Sequence, residues 1–117
     1  MNPTNSQNKD DSNTKSNVSI VDPEVGKISR MSEYIKLNML GFQNFRLKEF
    51  KYAKQNYNDC LSIAKELDEI KYAETLTNYA ITLYFLGKFA ECLDQLEAAS
   101  RITDRYYKKG EPKNIAQ

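Results

Sequence analysis

The feature that most constrains this chain is an internal repeat. Shifted by 39 positions, Leu37 falls on Leu76, Leu40 on Tyr79, Gly41 on Ala80, Leu47 on Leu86, Phe50 on Phe89, Ala53 on Cys92, Tyr57 on Leu96, Cys60 on Ala99 and Ile63 on Ile102. Large apolar residues meet large ones and small residues meet small ones at a single offset, which marks one supersecondary unit used twice. Within each copy the apolar positions recur at helical rather than alternating spacing, as in Phe50, Ala53, Tyr57, Cys60, Leu61 and Ala64. The fold class expected is therefore all-α.

Periodicity and break signals predict helices over about 30–46, 49–67, 72–86 and 89–109, with breaks at Arg46-Leu47-Lys48, Asp68-Glu69 and Leu86-Gly87-Lys88. Gly110 followed by Pro112 stops the last one, since glycine accepts a left-handed cap and proline cannot continue a helix. Each copy then reads as a helix, a tight turn and a second helix packed antiparallel to the first. Gly41 and Ala80, with Ala53, Cys92, Cys60 and Ala99 on the second helices, remove bulk where helices approach. Leu37, Leu76, Phe50 and Phe89 are expected to fill the space between layers.

Outside the repeat the composition changes. Residues 1–27 contain five asparagines and almost nothing apolar before Val18, too little to offset the entropy of ordering, so they are expected to be a disordered polar tail. Ile20 to Val25, broken by Pro23 and Gly26, reads as loop. The two copies occupy 28–110, as hairpins at about 30–67 and 72–109. Residues 111–117 are a linker or the opening of a truncated third copy, because the offset sets Ile115 under Leu37 and Leu76.

The same composition excludes several functions. Lysine plus arginine total 17 and aspartate plus glutamate 16, a net charge of +1, so no field favours nucleic acid or an acidic membrane. No run approaches the roughly 20 apolar residues of a membrane span, and the N-terminus has no secretory or mitochondrial signal, so a cytoplasmic location is expected. The absence of histidine removes imidazole general bases and the commonest zinc and haem ligand. Cys60 and Cys92 form no C-x-x-C pattern and read as reduced thiols. No metal, no cofactor and no enzymatic activity are expected.

The segment Ala73-Glu74-x-Leu76-x-Asn78-Tyr79-Ala80-x-x-Leu83-x-x-Leu86-Gly87-x-Phe89-x-x-Cys92-x-x-x-Leu96-x-x-Ala99 resembles a tetratricopeptide repeat, and Leu37 through Leu40, Gly41, Leu47, Phe50, Ala53, Tyr57 and Cys60 resemble a weaker second copy. The departures are Asn44 where a tyrosine or leucine is usual, Lys48 in place of the turn glycine kept at Gly87, no closing proline, and a period longer than the usual 34. The extra residues lie around Ala64 to Ile70. The resemblance implies antiparallel hairpins stacked as a short right-handed α-solenoid whose first helices line a concave groove. Two copies fall short of the three or so that stacked repeats need for independent stability. The chain is thus expected to be part of a longer array or to complete its core with another chain.

Carried over position by position, the resemblance implies a groove lined by Asn38, Phe42, Phe45 and Arg46 from the first copy and Thr77, Asn78, Ile81, Tyr84 and Phe85 from the second. Aromatic anchors with a few amide and guanidinium donors suit a peptide or helix of another protein. Asn78 is the implied contact to ligand backbone, and packing between helices is the rival role for the rings. The expected function is a non-catalytic interaction module, an adaptor or scaffold. The alternatives are an assembly subunit that self-associates through its exposed repeat ends and a regulatory fragment of a larger enzyme. Arg101, Arg105, Lys108 and Lys109, interleaved with Tyr106 and Tyr107, read as a solvated helix end complementing the dipole rather than a nucleic-acid site. Glu66, Asp68 and Glu69 read as an exposed acidic loop.

Overall fold

The structure, a computed structural model, describes residues 23–110. These form α1 (Pro23–Arg46), α2 (Phe50–Leu67), α3 (Glu69–Phe85) and α4 (Phe89–Gly110), with no strand among the described residues, so the all-α expectation holds. Consecutive helices pack on one another, α1 on α2, α2 on α3 and α3 on α4. Two helical hairpins therefore lie side by side.

The repeat is visible in the backbone. In the first turn the amides of Leu47, Lys48 and Glu49 donate to the carbonyls of Gln43, Phe45 and Asn44. In the second, Leu86, Gly87 and Lys88 donate to Thr82, Tyr84 and Leu83, the same bonds at the same offset. Lys48 at φ 63° and Gly87 at φ 79° hold the same left-handed position. Glycine is free to adopt it, whereas a residue with a Cβ is strained there.

Two boundaries differ from the sequence reading. Residues 23–27, assigned to the disordered tail, belong to α1. Proline in a first helical turn sacrifices no hydrogen bond, and its fixed φ suits a helix start. Glu24 adds an acid where the helix dipole favours one. One turn further, Arg30 Nε reaches Glu66 Oε1 of α2 at 3.3 Å. Gly26 costs only about 1 kcal/mol inside a helix, too little to stop it. The tail reading for 1–22 and the linker reading for 111–117 lie outside the described residues.

The second boundary is at Asp68. α3 starts at Glu69, three residues before the predicted start, and no acidic loop exists. Asp68 alone, in extended conformation, ends α2 by donating its amide to the Ala64 carbonyl and starts α3 by accepting the Lys71 amide at its carboxylate, 2.8 Å away. Glu66 is the residue paired with Arg30, and Glu69 lies 3.8 Å from Arg105 of α4. The extra residues of the longer period are thus helical.

Small residues make the helix contacts close. Ala53, Cys60, Ala64, Ala73, Ala80, Cys92 and Ala99 are buried, as are Leu76 and Leu83. Where α1, α2 and α3 meet, the buried Thr75 hydroxyl donates to the Lys71 carbonyl at 2.8 Å, the Cys60 thiol donates toward the Tyr34 carbonyl at 3.7 Å, and Thr75 lies beside the Tyr34 and Cys60 side chains. The group brings polar atoms of three helices together, with the Thr75 hydroxyl and the Cys60 thiol each donating to a backbone carbonyl, as buried donors require. Asn44 of α1 donates its amide to Asn56 Oδ1 of α2 at 2.6 Å, a polar contact between the two helices of the first hairpin. Phe89 departs from expectation: Phe50 is half-buried against α3, but Phe89, its counterpart, is exposed because no described helix follows α4.

Candidate partner-binding surface

α1 and α3 both pack on α2 and also touch each other, at Tyr34 with Thr75 midway and at Phe45 with Phe85 near their ends. The contacts run in the same order along both helices, so α1 and α3 are parallel neighbours presenting one common face. On that face the structure places Phe42, Arg46, Ile81, Tyr84 and Phe85 exposed, and Asn38, Phe45, Thr77 and Asn78 half-buried. The α3 residues share a face because Thr75, Leu76, Tyr79, Ala80, Thr82 and Leu83 turn the opposite side of the helix inward.

The rings form a connected set. Phe45 meets Phe85 edge to face at 5.3 Å between centroids, Phe50 stacks on Phe85 at 5.2 Å, and Tyr84 contacts both Phe85 and Phe89 at 5.4 Å. The packing role for Phe45 is real, since its ring is held between two others. Tyr84 and Phe85 nevertheless keep about half their surface open, at 55% and 53%. Arg46 lies with its guanidinium 5.8 Å over the Phe42 ring, which fixes it at the edge of the face by a cation–π contact. Thr77 donates its hydroxyl to the Ala73 carbonyl. The side-chain amides of Asn38 and Asn78 have no hydrogen-bond partner among the described residues.

The sequence reading misses four members of this surface. Phe50 and Phe89 join the ring cluster, and their shared place one residue beyond each turn is the signal that reveals them. Ile35 and Met39, at 49% and 55% exposure, extend the apolar face along α1. Their spacing from Ile28, Met31 and Phe42 follows one side of a helix.

The groups with perturbed protonation are elsewhere. Burial pushes the Cys60 thiol up to about 11 and raises Tyr34 and Tyr57, all inside the core. Among the described residues no three His, Cys, Asp or Glu side chains converge as a metal site would need, and no helix is long and apolar enough to cross a membrane. Arg101, Arg105 and Lys108 are exposed, with Arg105 facing Glu69. What the surface offers is apolar area, ring faces and two unengaged amides. Compared with known proteins, the chain matches no family model, no curated protein and no solved structure.

Proposed function

We propose that this chain is a tetratricopeptide-like adaptor of the cytoplasm, with no catalytic activity, that binds an extended or helical segment of another protein along the face shared by α1 and α3. The observation that carries the reading is the exposed ring set of Tyr84 and Phe85 beside the unpaired amide of Asn78. Aromatic rings that keep half their area open give a ligand apolar anchors already fixed in place, and preorganisation lowers the entropic cost of binding. An amide without a partner on the same helix can hold the ligand backbone. Nucleic acid and membranes are not the ligands this face suits, because Arg46 is the one cation among the residues named on it and rings, aliphatic side chains and amides make up the rest.

The test is affinity capture with the wild-type chain and with Asn78→Ala combined with Tyr84→Ala, both shown to be equally helical. Wild type is expected to retain a protein that the variant releases, and the affinity is modest for so short an array. Equal retention of every partner by the variant overturns the reading.

A further inference from the structure

We infer that α1 pairs with α1 of a second copy of this chain, antiparallel, about a two-fold axis at Ile35. The starting observation is a stripe that neither neighbour covers. Ile28, Ile35, Met39 and Phe42 are 66%, 49%, 55% and 55% exposed, while Tyr34 and Gly41 on another side of the helix are buried. With half-buried Met31 the stripe runs from Ile28 to Phe42, about 21 Å along the helix axis. A shallow depression bordered by Ile28, Met31 and Ile35 continues it toward the start of α1.

The sequence of the stripe determines which occupant fits. A two-fold interface must be self-complementary, residue i meeting j while j meets i. Centred on Ile35, the antiparallel register sets Ile28 against Phe42 and Met31 against Met39, and brings Ile35 onto its own copy. Ser32 falls opposite Asn38, a hydroxyl facing an amide. At the two ends Glu24 of one chain falls opposite Arg46 of the other, and Lys27 opposite Gln43, so no like charges confront each other. Antiparallel alignment also sets the positive end of each helix dipole beside the negative end of the other. Asn38, Phe42 and Arg46 belong both to this pairing and to the ligand face, so a second copy and a bound partner exclude each other.

The test uses the full chain in sedimentation equilibrium from micromolar to near-millimolar concentration. Wild type is expected to form a dimer. Ile35→Lys and Ile35→Glu, both at a half-exposed position, are each expected to stay monomeric while keeping wild-type helix content. An equimolar mixture of the two is expected to form a heterodimer, because the opposite charges meet at the axis. A monomeric wild type at the highest concentration, or variants as dimeric as wild type, overturns the pairing. So does a mixture that stays monomeric. As a second measurement, Ile35→Cys is expected to form a disulfide-linked dimer under mild oxidation and Lys36→Cys is not; equal crosslinking by both contradicts the register. Partner capture lost by Asn78→Ala with Tyr84→Ala, in a chain that still dimerises, bears on the ligand face alone and keeps the two readings separable.

Discussion

Gly41 of α1 packs directly onto the Tyr57 ring of α2: a Cβ at Gly41 would lie 2.8 Å from both Cε1 and Cζ of that ring. Tyr57 is itself buried at 3% exposure, so the ring has nowhere to swing. The glycine is therefore a spacing element that lets a tyrosine sit between the helices of the first hairpin. At the same positions of the second hairpin the sequence has Ala80 and Leu96, a slightly larger residue with a slimmer one.

Gly41→Ala is expected to destabilise the fold. Overpacking costs about 1 to 3 kcal/mol, and the better helix propensity of alanine returns only about 1 kcal/mol. Adding Tyr57→Leu to Gly41→Ala reproduces the pair of the second hairpin and should recover most of the loss. Urea unfolding of the two single variants and the double variant measures the coupling. Additive effects would show that the two residues do not meet.

The turns yield a second prediction. Lys48 occupies the left-handed conformation at φ 63°, which costs a residue with a Cβ about 1 kcal/mol or more. Lys48→Gly is expected to raise stability by about 0.5 kcal/mol, the remainder being offset by the freer unfolded chain. Gly87→Ala is expected to lower it by about 1 kcal/mol from backbone strain alone, since nothing lies within 4 Å of the added Cβ. Thermal unfolding midpoints of the two variants should move in opposite directions, and a shift of the same sign in both would contradict the equivalence of the turns.

These two sites show what the sequence makes legible. The 39-residue offset finds both turns and the small residues at the helix contacts, because close packing and left-handed backbone each restrict residue type. The family resemblance, not the offset, singles out Thr77, Asn78, Ile81, Tyr84 and Phe85, and in the structure Ile81, Tyr84 and Phe85 are exposed while Thr77 and Asn78 are half-buried. The offset does not show where a helix starts when the usual breakers are compatible with a first turn, as Pro23 is. Nor does it distinguish Phe89 from Phe50, because their burial depends on whether another helix follows, which no local residue encodes. The stripe from Ile28 to Phe42 stayed hidden for a related reason: its spacing is as suited to a core as to a surface.

Asp68 gives a pH dependence. Hydrogen bonding from the Lys71 backbone amide, more than the nearby ammonium, holds its carboxyl below the usual carboxylate range, against the opposing effect of burial. A folded-state pKa below the unfolded value, about 3.9, means the stabilisation is present above that pH and is lost as the pH falls through the lowered value. Asp68→Ala is expected to cost about 1 kcal/mol at neutral pH. The gap to wild type should close on the acid side of about pH 4. Asp68→Asn, whose amide oxygen can accept the same bond, should lose less. A gap for Asp68→Ala that is unchanged between pH 7 and strong acid would remove the carboxylate from the cap.

Cys60 gives the opposite sign. Its thiol is wholly buried, donates toward the Tyr34 carbonyl at 3.7 Å, and is pushed up to about 11 by that burial, an effect that the neighbouring Thr75 hydroxyl partly counters. The thiolate is the reactive form, so native Cys60 should resist a thiol reagent at mildly alkaline pH and react only as fast as the helices separate. Since the folded pKa is raised, its contribution is complete below the unfolded value near 8.5 and fades as the pH climbs toward about 11. Thr75→Val keeps the volume but removes the buried hydroxyl that lies beside Tyr34 and Cys60, at a cost of about 1 to 3 kcal/mol. Labelling of Cys60 should therefore accelerate in this variant by the factor that its loss of stability dictates. Rapid labelling of native wild type near pH 8, with Cys92 protected, would mean that the junction of α1, α2 and α3 is open and that Thr75 does not close it.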